Sequence, residues 1–352
     1  MKAYVLYDID DLRYEDTEKP VVKPNEALVR VRAAGICGSD IPRIFRTGTY
    51  SYPLIPGHEF SGEVVEAGER VNKELIGKRV AVFPLIPCKV CEPCQREQYE
   101  LCRSYDYLGS RTNGGFAEYV AVPEWNLMEL PDNVSYEQAA MMEPMAVAVH
   151  AMRSVCSGGD MDTGTVAVCG LGTIGLLLLM FLREAGISDL LVIGNKEFQR
   201  KMTDGFGISE QHFCDSRKED MQKWLMERTG GCGVNVFFEC VGRNETISEG
   251  VACTAPNGMV QLVGNPASDI CFEKNIYWKI LRNQLKVRGS WNSSYTHSDR
   301  DDWHYVLDRL KRGRIHPEQY ITQCFAFEEL CEGLRMMRDK TEEYVKVLVC
   351  IE

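Results

Sequence analysis

In the first part of the chain, apolar positions come in short runs that partly alternate with polar ones. In residues 26–34 (EALVRVRAA), Val29, Val31 and Ala33 alternate with Arg30 and Arg32, as a half-buried strand requires. Residues 63–66, 79–83 and 116–122 read in the same way. Turn signals punctuate them at Pro56-Gly57, Asn113-Gly114-Gly115 and Pro131-Asp132. This texture predicts a mostly antiparallel β region.

The pattern changes near Ser135. Residues 135–155 (SYEQAAMMEPMAVAVHAMRSV) predict a helix, with Ser135 as N-cap and Gln138 completing a capping box. A buried strand (165–170), a glycine turn and apolar helix (170–186), a second strand (189–194) and a helix (199–205) follow. Further apolar strands come at 234–242 and 258–264. Apolar strands alternating with helices predict a parallel sheet covered on both faces, so the fold class is α/β. After about Arg288 the style shifts again, to a helix over 303–311 and a last strand over 345–351, which is expected to return to the first region's sheet. The expected division is a β-rich domain of residues 1–148 and 288–352 around a doubly wound domain of residues 149–287.

Length and composition agree with two soluble domains: 352 residues, 45% apolar, 26% charged and 9% aromatic. A net charge of −11 without a basic run argues against nucleic acid or an anionic membrane as partner. The opening MKAYVLYDID has no signal-peptide pattern, and the longest apolar run, 175–182, is too short to span a bilayer. A cytoplasmic location is expected.

Fifteen cysteines in such a chain suggest metal ligands plus scattered thiols rather than a disulfide framework. Within PCKVCEPCQREQYELC (87–102), Cys88, Cys91, Cys94 and Cys102 offer four soft ligands from one loop, enough to close a tetrahedral structural zinc site. An iron–sulfur cluster uses the same four-thiolate set, and spacing does not separate the two. The other cysteines (156, 169, 214, 232, 240, 253, 271, 324, 331 and 350) read as buried packing thiols. His150, His212, His297, His304 and His316 lack ligand spacing, and Met141, Met142 and Met145 read as core.

Gly170-Leu171-Gly172-Thr173-Ile174-Gly175 is a G-x-G-x-x-G after a strand and at the head of a helix, the context of dinucleotide binding. At the end of the next strand, where an NAD site carries an acid for the ribose 2′-hydroxyl, Gly194-Asn195-Lys196 stands instead. Gly194 does not repel a 2′-phosphate, and Lys196 and Arg200 are near enough in sequence to neutralise one. This favours NADP over NAD; the alternative is Glu197 serving as the acid from a shifted turn.

Three further segments, GICGSD (35–40), PGHE (56–59) and MEP (142–144), bring a cysteine, a histidine and carboxylates into the β-rich half. With PGHEFSGEV, the four-cysteine lobe, GGFAEY, GLGTIG and the closing VKVLV, they make the chain similar to the zinc-dependent medium-chain dehydrogenases/reductases over nearly its whole length. CGSDIPRIF, HEFSG, Tyr107–Arg111 and Gly289-Ser290-Trp291 make it most similar to the sorbitol dehydrogenase branch, and within it to members acting on galactitol 1-phosphate. The resemblance implies a GroES-like catalytic domain holding two zinc ions and an inserted Rossmann domain. It implies a catalytic zinc on Cys37, His58 and Glu143, with Glu59 as the acid beside the ligand histidine, able to exchange into the metal's shell. Ser39 would bond the reacting oxygen.

Pro42 stands where alcohol dehydrogenases often carry the histidine that ends the proton relay, so the relay must run another way. The implied reaction is hydride transfer between a secondary hydroxyl of a polyol or polyol phosphate and NAD(P), in a homodimer or homotetramer. Ser39, Tyr50, Glu59, Arg111, Trp291 and Asn292 are candidates for the hydroxyls. Arg43, Arg46 and Arg111 are candidates for a phosphate, since guanidinium pairs with phosphate in bidentate fashion. The alternatives are an alcohol or threonine-type dehydrogenase of the same family, a metal-free quinone reductase-like enzyme, and an inactive cofactor-binding sensor.

Overall fold

In a computed structural model the chain divides into two compact units, Met1–Ala146 with Ser293–Glu352, and Val147–Asn292. The structure describes residues 1–156, 164–266 and 268–351, the side chain of Cys156 excepted, so the reading of that thiol falls outside the described residues.

The first unit is built on the strand Glu26–Ile36, buried along nearly its whole length. The strand Glu59–Ala67 runs antiparallel along one edge, from Ala27 opposite Ala67 to Gly35 opposite Glu59. Its other edge is shared: Tyr119–Pro123 pairs with residues 26–30, and the C-terminal strand Lys346–Cys350 pairs antiparallel with residues 33–36. The chain end thus returns to this sheet, as expected. Arg79–Val82 and Leu127–Glu129 extend the sheet on one side, and Ile321–Ala326, parallel to the C-terminal strand, forms the opposite edge. Val29, Val31, Phe60, Val64, Val347 and Val349 fill the core on one face. Ala33 and Leu348 meet Ala140 on the other. Cover on both faces explains why the alternation along residues 26–34 is only partial.

The second unit is a six-stranded, wholly parallel sheet in the order Phe213–Asp215, Leu190–Gly194, Val166–Cys169, Val234–Glu239, Thr254–Leu262 and Lys286–Gly289. This is the doubly wound order of dinucleotide-binding folds. The central strands are buried on both faces, and Leu176 to Leu182 of the helix Thr173–Glu184 are buried with them. Among the described residues no helix is long and apolar enough to cross a membrane.

Two features depart from the pattern read in the sequence. The helix expected over 135–155 is two helices, Tyr136–Ala140, opened by the Ser135–Gln138 capping box, and Met142–Cys156. Pro144 accounts for the break: it has no N–H to donate to Ala140 but is tolerated in the first turn of a new helix. The strands Phe213–Asp215, Lys286–Gly289 and Ile321–Ala326 all lie at sheet edges; the first spans only three residues, the second is exposed throughout and the third is mostly half-buried, which leaves no apolar alternation to read.

Where Glu26–Ile36 pairs with Glu59–Ala67, Gly62 lies opposite Val31, and a Cβ on Gly62 would overlap the carbonyl oxygen of Arg30. Gly62→Ala is expected to destabilise the first unit by about 1–3 kcal/mol, the usual cost of overpacking, read as a lower midpoint in thermal unfolding.

Candidate active site

The four-cysteine lobe forms as one loop. Lys89 takes a left-handed backbone (φ 59°), Cys91 caps the short helix Glu92–Gln95 that carries Cys94, and the turn Tyr99–Leu101 delivers Cys102. The Sγ atoms lie 3.5 Å (Cys91–Cys94) and 3.9 Å (Cys88–Cys94, Cys91–Cys102) apart. A disulfide would need about 2.05 Å. A tetrahedron with bonds of about 2.3 Å has edges of about 3.8 Å. The thiols therefore surround a common centre the size of a zinc site. Backbone N–H donors of Arg103 and Cys94 lower Cys91 to about 6, favouring the thiolate a metal needs, while burial pushes Cys94 up to about 12.

The second cluster sits at one end of three neighbouring strands. Cys37 follows Glu26–Ile36, while His58 and Glu59 open Glu59–Ala67. Gly57 turns into this strand with a φ of 92°, a conformation in which its missing Cβ leaves room for the Phe116 ring. The ligand atoms of Cys37, His58 and Glu59 all lie within 4.8 Å of one another, a second metal-competent group.

Glu143, expected as the third ligand, falls outside that group: its Oε1 accepts from the Tyr107 hydroxyl at 3.0 Å. The carboxylate within the group is Glu59. Lys346, on the adjacent C-terminal strand, binds Glu59 Oε2 through its ammonium and donates to the Ile36 carbonyl at 3.0 Å. The register sets Gly35 opposite Glu59, and a side chain there would overlap this ion pair.

Asp40, fully buried, organises the rest. It accepts from the Cys37 N–H at 3.0 Å and from Arg43 at 2.8 Å, and its Oδ1 lies 3.4 Å from His58 Nδ1, off the line of a hydrogen bond. Burial alone would raise the Asp40 carboxyl, but the charges of His58 and Arg43 outweigh it and hold it below its usual range. Burial alone would lower His58, but Asp40 and Cys37 hold it well above. Burial pushes Glu143 up to about 7, with His58 opposing and Glu59 adding to the rise. Three ligand-type side chains within 4.8 Å of one another, with an acid beside the imidazole as commonly found behind a metal-binding histidine, fit a bound cation. Ser39 lies beside it, its hydroxyl donating to Cys37 Sγ at 3.3 Å.

The arginines divide. Arg43 is taken up by Asp40, and Arg46 is exposed. The Arg111 guanidinium lies between the rings of Tyr50 (4.2 Å) and Tyr105 (4.4 Å), with no carboxylate paired to it among the described residues. Tyr105 neighbours Tyr107, which neighbours His58, at ring separations of 6.2 and 5.9 Å. Trp291 and Asn292 belong to the other unit, where the Trp291 ring is about half exposed. Of the remaining thiols, Cys169, Cys214 and Cys253 are buried as expected; Cys240, Cys331 and Cys350 are half-buried, and Cys232, Cys271 and Cys324 are exposed. Met141, Met142 and Met145 are core.

In the second unit the three glycines of the loop meet three different surroundings. Gly170 has a φ of 96° and packs on Val241. A side chain on Gly175 would overlap the Gly170 carbonyl. Gly172, which caps the helix Thr173–Glu184, faces open space, the room a pyrophosphate needs over the N–H groups of Thr173 and Ile174. At the end of Leu190–Gly194, Gln199 accepts from the Asn195 N–H at 3.0 Å, and Ser216 donates to the Gly194 carbonyl. Arg200, expected near a phosphate, turns to Glu197 at 2.9 Å, with Asp204 and Glu210 beyond. This also engages Glu197, the alternative acid. Lys196, in the N-cap position of the next helix, has no ion-pair partner among the described residues.

Sequence reading missed Asp40, Tyr107 and Lys346. Asp40 stood in the quoted GICGSD and Lys346 in VKVLV, but nothing local marks a lysine on an apolar strand as the partner of a distant carboxylate.

Residues 23–132 match the alcohol dehydrogenase GroES-like domain, and residues 173–312 match the zinc-binding dehydrogenase domain. The chain is 32% identical to galactitol 1-phosphate 5-dehydrogenase of Escherichia coli over 94% of its length and 95% of the relative's. The crystal structure of galactitol-1-phosphate dehydrogenase from Escherichia coli superposes with a TM-score of 0.91 at 30% identity, covering 99% of this chain and 100% of that one. (R,R)-butanediol dehydrogenase of Bacillus subtilis is 32% identical, with 99% of each chain covered. A Sinorhizobium meliloti protein whose structure was determined bound to NADP has a TM-score of 0.89 at 28% identity, covering 99% of this chain and 98% of that one. The chain belongs to the zinc-type medium-chain alcohol dehydrogenase family and is an oxidoreductase acting on alcohols with a nicotinamide cofactor.

Proposed function

We propose that the chain oxidises a secondary hydroxyl of a polyol phosphate with NADP, and reduces the corresponding ketone, holding one catalytic and one structural zinc ion. The observation that carries the substrate reading is Arg111, set against two tyrosine rings with no carboxylate to neutralise it among the described residues. Contact with ring faces holds the guanidinium without consuming its N–H donors, which suits bidentate binding of a phosphate. The run from His58 through Tyr107 and Tyr105 to Arg111 would align a polyol with its phosphate at the arginine.

Cys37, His58 and Glu59 would hold the catalytic ion, Glu143 standing by on Tyr107; the four cysteines of the lobe would hold the structural one. When bound, zinc supplies Lewis-acid stabilisation of negative charge on the substrate oxygen, and the nicotinamide supplies the hydride acceptor. Ser39 would exchange its bond to Cys37 Sγ for one to the substrate hydroxyl and take its proton. With Pro42 in the relay position, Ser39 would pass that proton on to solvent. Lys346 keeps Glu59 Oε2 occupied and leaves Oε1 for the ion. In the second unit Gly170, Gly172, Thr173, Ile174 and Gly175 would cradle the pyrophosphate, and Asn195 and Lys196 the 2′-phosphate; Arg200 would have to exchange its contact with Glu197 to join them. A second copy of the chain would cover the exposed edge strand Lys286–Gly289 and the neighbouring Tyr277, Trp278 and Leu281, giving a homodimer or a homotetramer.

Metal analysis is expected to find about two zinc ions per chain. Cys94→Ser should lose one together with thermal stability, and Cys37→Ser should lose one together with activity at nearly unchanged stability. Because His58 must shed a proton to bind an ion, rebinding at the catalytic site should weaken as pH falls. A chain with no zinc in either site would overturn the reading.

In a 340 nm assay across polyols, their phosphates and vicinal diols, Arg111→Ala is expected to raise KM for phosphate esters about 10- to 100-fold, the worth of a charge-assisted bond of about 1.5–3 kcal/mol, and to spare free polyols. An equal effect on both would favour a free polyol or diol substrate. Lys196→Glu should raise KM for NADP and leave that for NAD nearly unchanged; a wild-type enzyme that strongly prefers NAD would sink the NADP assignment.

A further inference from the structure

Two cysteines that the reaction does not use meet at the edge of the first unit's sheet. Cys324 lies on the edge strand Ile321–Ala326, and Cys350 ends the C-terminal strand Lys346–Cys350. These strands run parallel, with Cys324 opposite Leu348 and Ala326 opposite Cys350. Residues two apart on a strand face the same side, so both thiols project from one face of the sheet. Their Sγ atoms are 2.6 Å apart, one exposed and one half-buried. No third ligand joins them: the metal-competent groups among the described residues are the two already described. A pair of adjacent, accessible sulfurs without a metal's third ligand is suited to sulfur–sulfur chemistry.

We propose that Cys324 and Cys350 form a reversible disulfide, made by hydrogen peroxide and unmade by small dithiols, that clips the edge strand to the strand carrying Lys346. Exposed Cys324 reacts first. Its thiolate attacks one peroxide oxygen, the O–O bond breaks, and Cys324 becomes a sulfenic acid as hydroxide leaves and is protonated to water. The Cys350 sulfur then attacks the Cys324 sulfur. The S–S bond forms, the S–O bond breaks, and the departing hydroxide leaves as water with the Cys350 proton. Two thiols lose two electrons and two protons in all, and one peroxide becomes two waters. Burial, first, and the neighbouring Cys324 push the Cys350 thiol up to about 12, so it keeps its proton until the sulfenic acid is beside it. Reduction by a dithiol reverses the link through a mixed disulfide. The closed loop would contain the helix Leu330–Asp339, and tying its ends restricts the unfolded chain.

The test uses the zinc-loaded full chain, treated with hydrogen peroxide, alkylated with N-ethylmaleimide and digested for mass spectrometry. The expected result is a peptide pair joined through Cys324 and Cys350, about 2 Da lighter than the sum of its reduced halves and separated by dithiothreitol. The linked protein is expected to melt at a higher temperature, with its zinc content unchanged. Cys324→Ser should give neither the link nor the rise. Recovery of both thiols alkylated, or of Cys324 as a sulfinic or sulfonic acid without the joined pair, would overturn the proposal. So would a linked protein that melts no higher than the reduced one.

Discussion

The buried ion pair of Lys346 and Glu59 joins residues 287 positions apart, and the candidate metal site is built around it. Two charges taken out of water are tolerable only with close partners on all sides. Lys346 meets that condition by also donating to the Ile36 carbonyl, and the pair fits only because the position opposite Glu59 on the central strand is a glycine. Each requirement is met by a different strand. The return of the chain end to the central strand places the lysine, the central strand supplies the carbonyl and the slot, and the neighbouring strand brings the carboxylate.

Asp40 extends the same logic. A fully buried carboxylate needs several donors, and it accepts from the Cys37 backbone and Arg43 while the His58 ring lies at its edge. The candidate ligands Cys37 and His58 thus both lie against one acid, the arrangement usual behind a metal-binding imidazole. Arg43 and Arg200 show the corollary: a long cation near an acid is absorbed by it. Arg111 differs because its neighbours are rings, which hold a guanidinium without neutralising it.

The nucleotide unit divides its labour among three glycines within six residues. One turns the chain, one packs helix on strand, and the one between them leaves a clear space above a helix N-terminus. These demands are met inside one turn, where spacing alone specifies geometry.

Locality also separates what could be read from the chain alone from what could not. The four-cysteine lobe, the glycine loop and the capping box at Ser135 were legible because all their partners lie within one loop or turn, so sequence spacing fixes distance. The alternation of strands and helices gave the fold class because burial is periodic in each element. The sequence could not pair Lys346 with Glu59, nor Tyr107 with Glu143, nor bring Cys324 beside Cys350. Those outcomes depend on which strands neighbour one another, in what register, and where a carboxylate turns when a lysine or a tyrosine competes for it. Local spacing carries no record of that competition, which only the assembled sheet resolves.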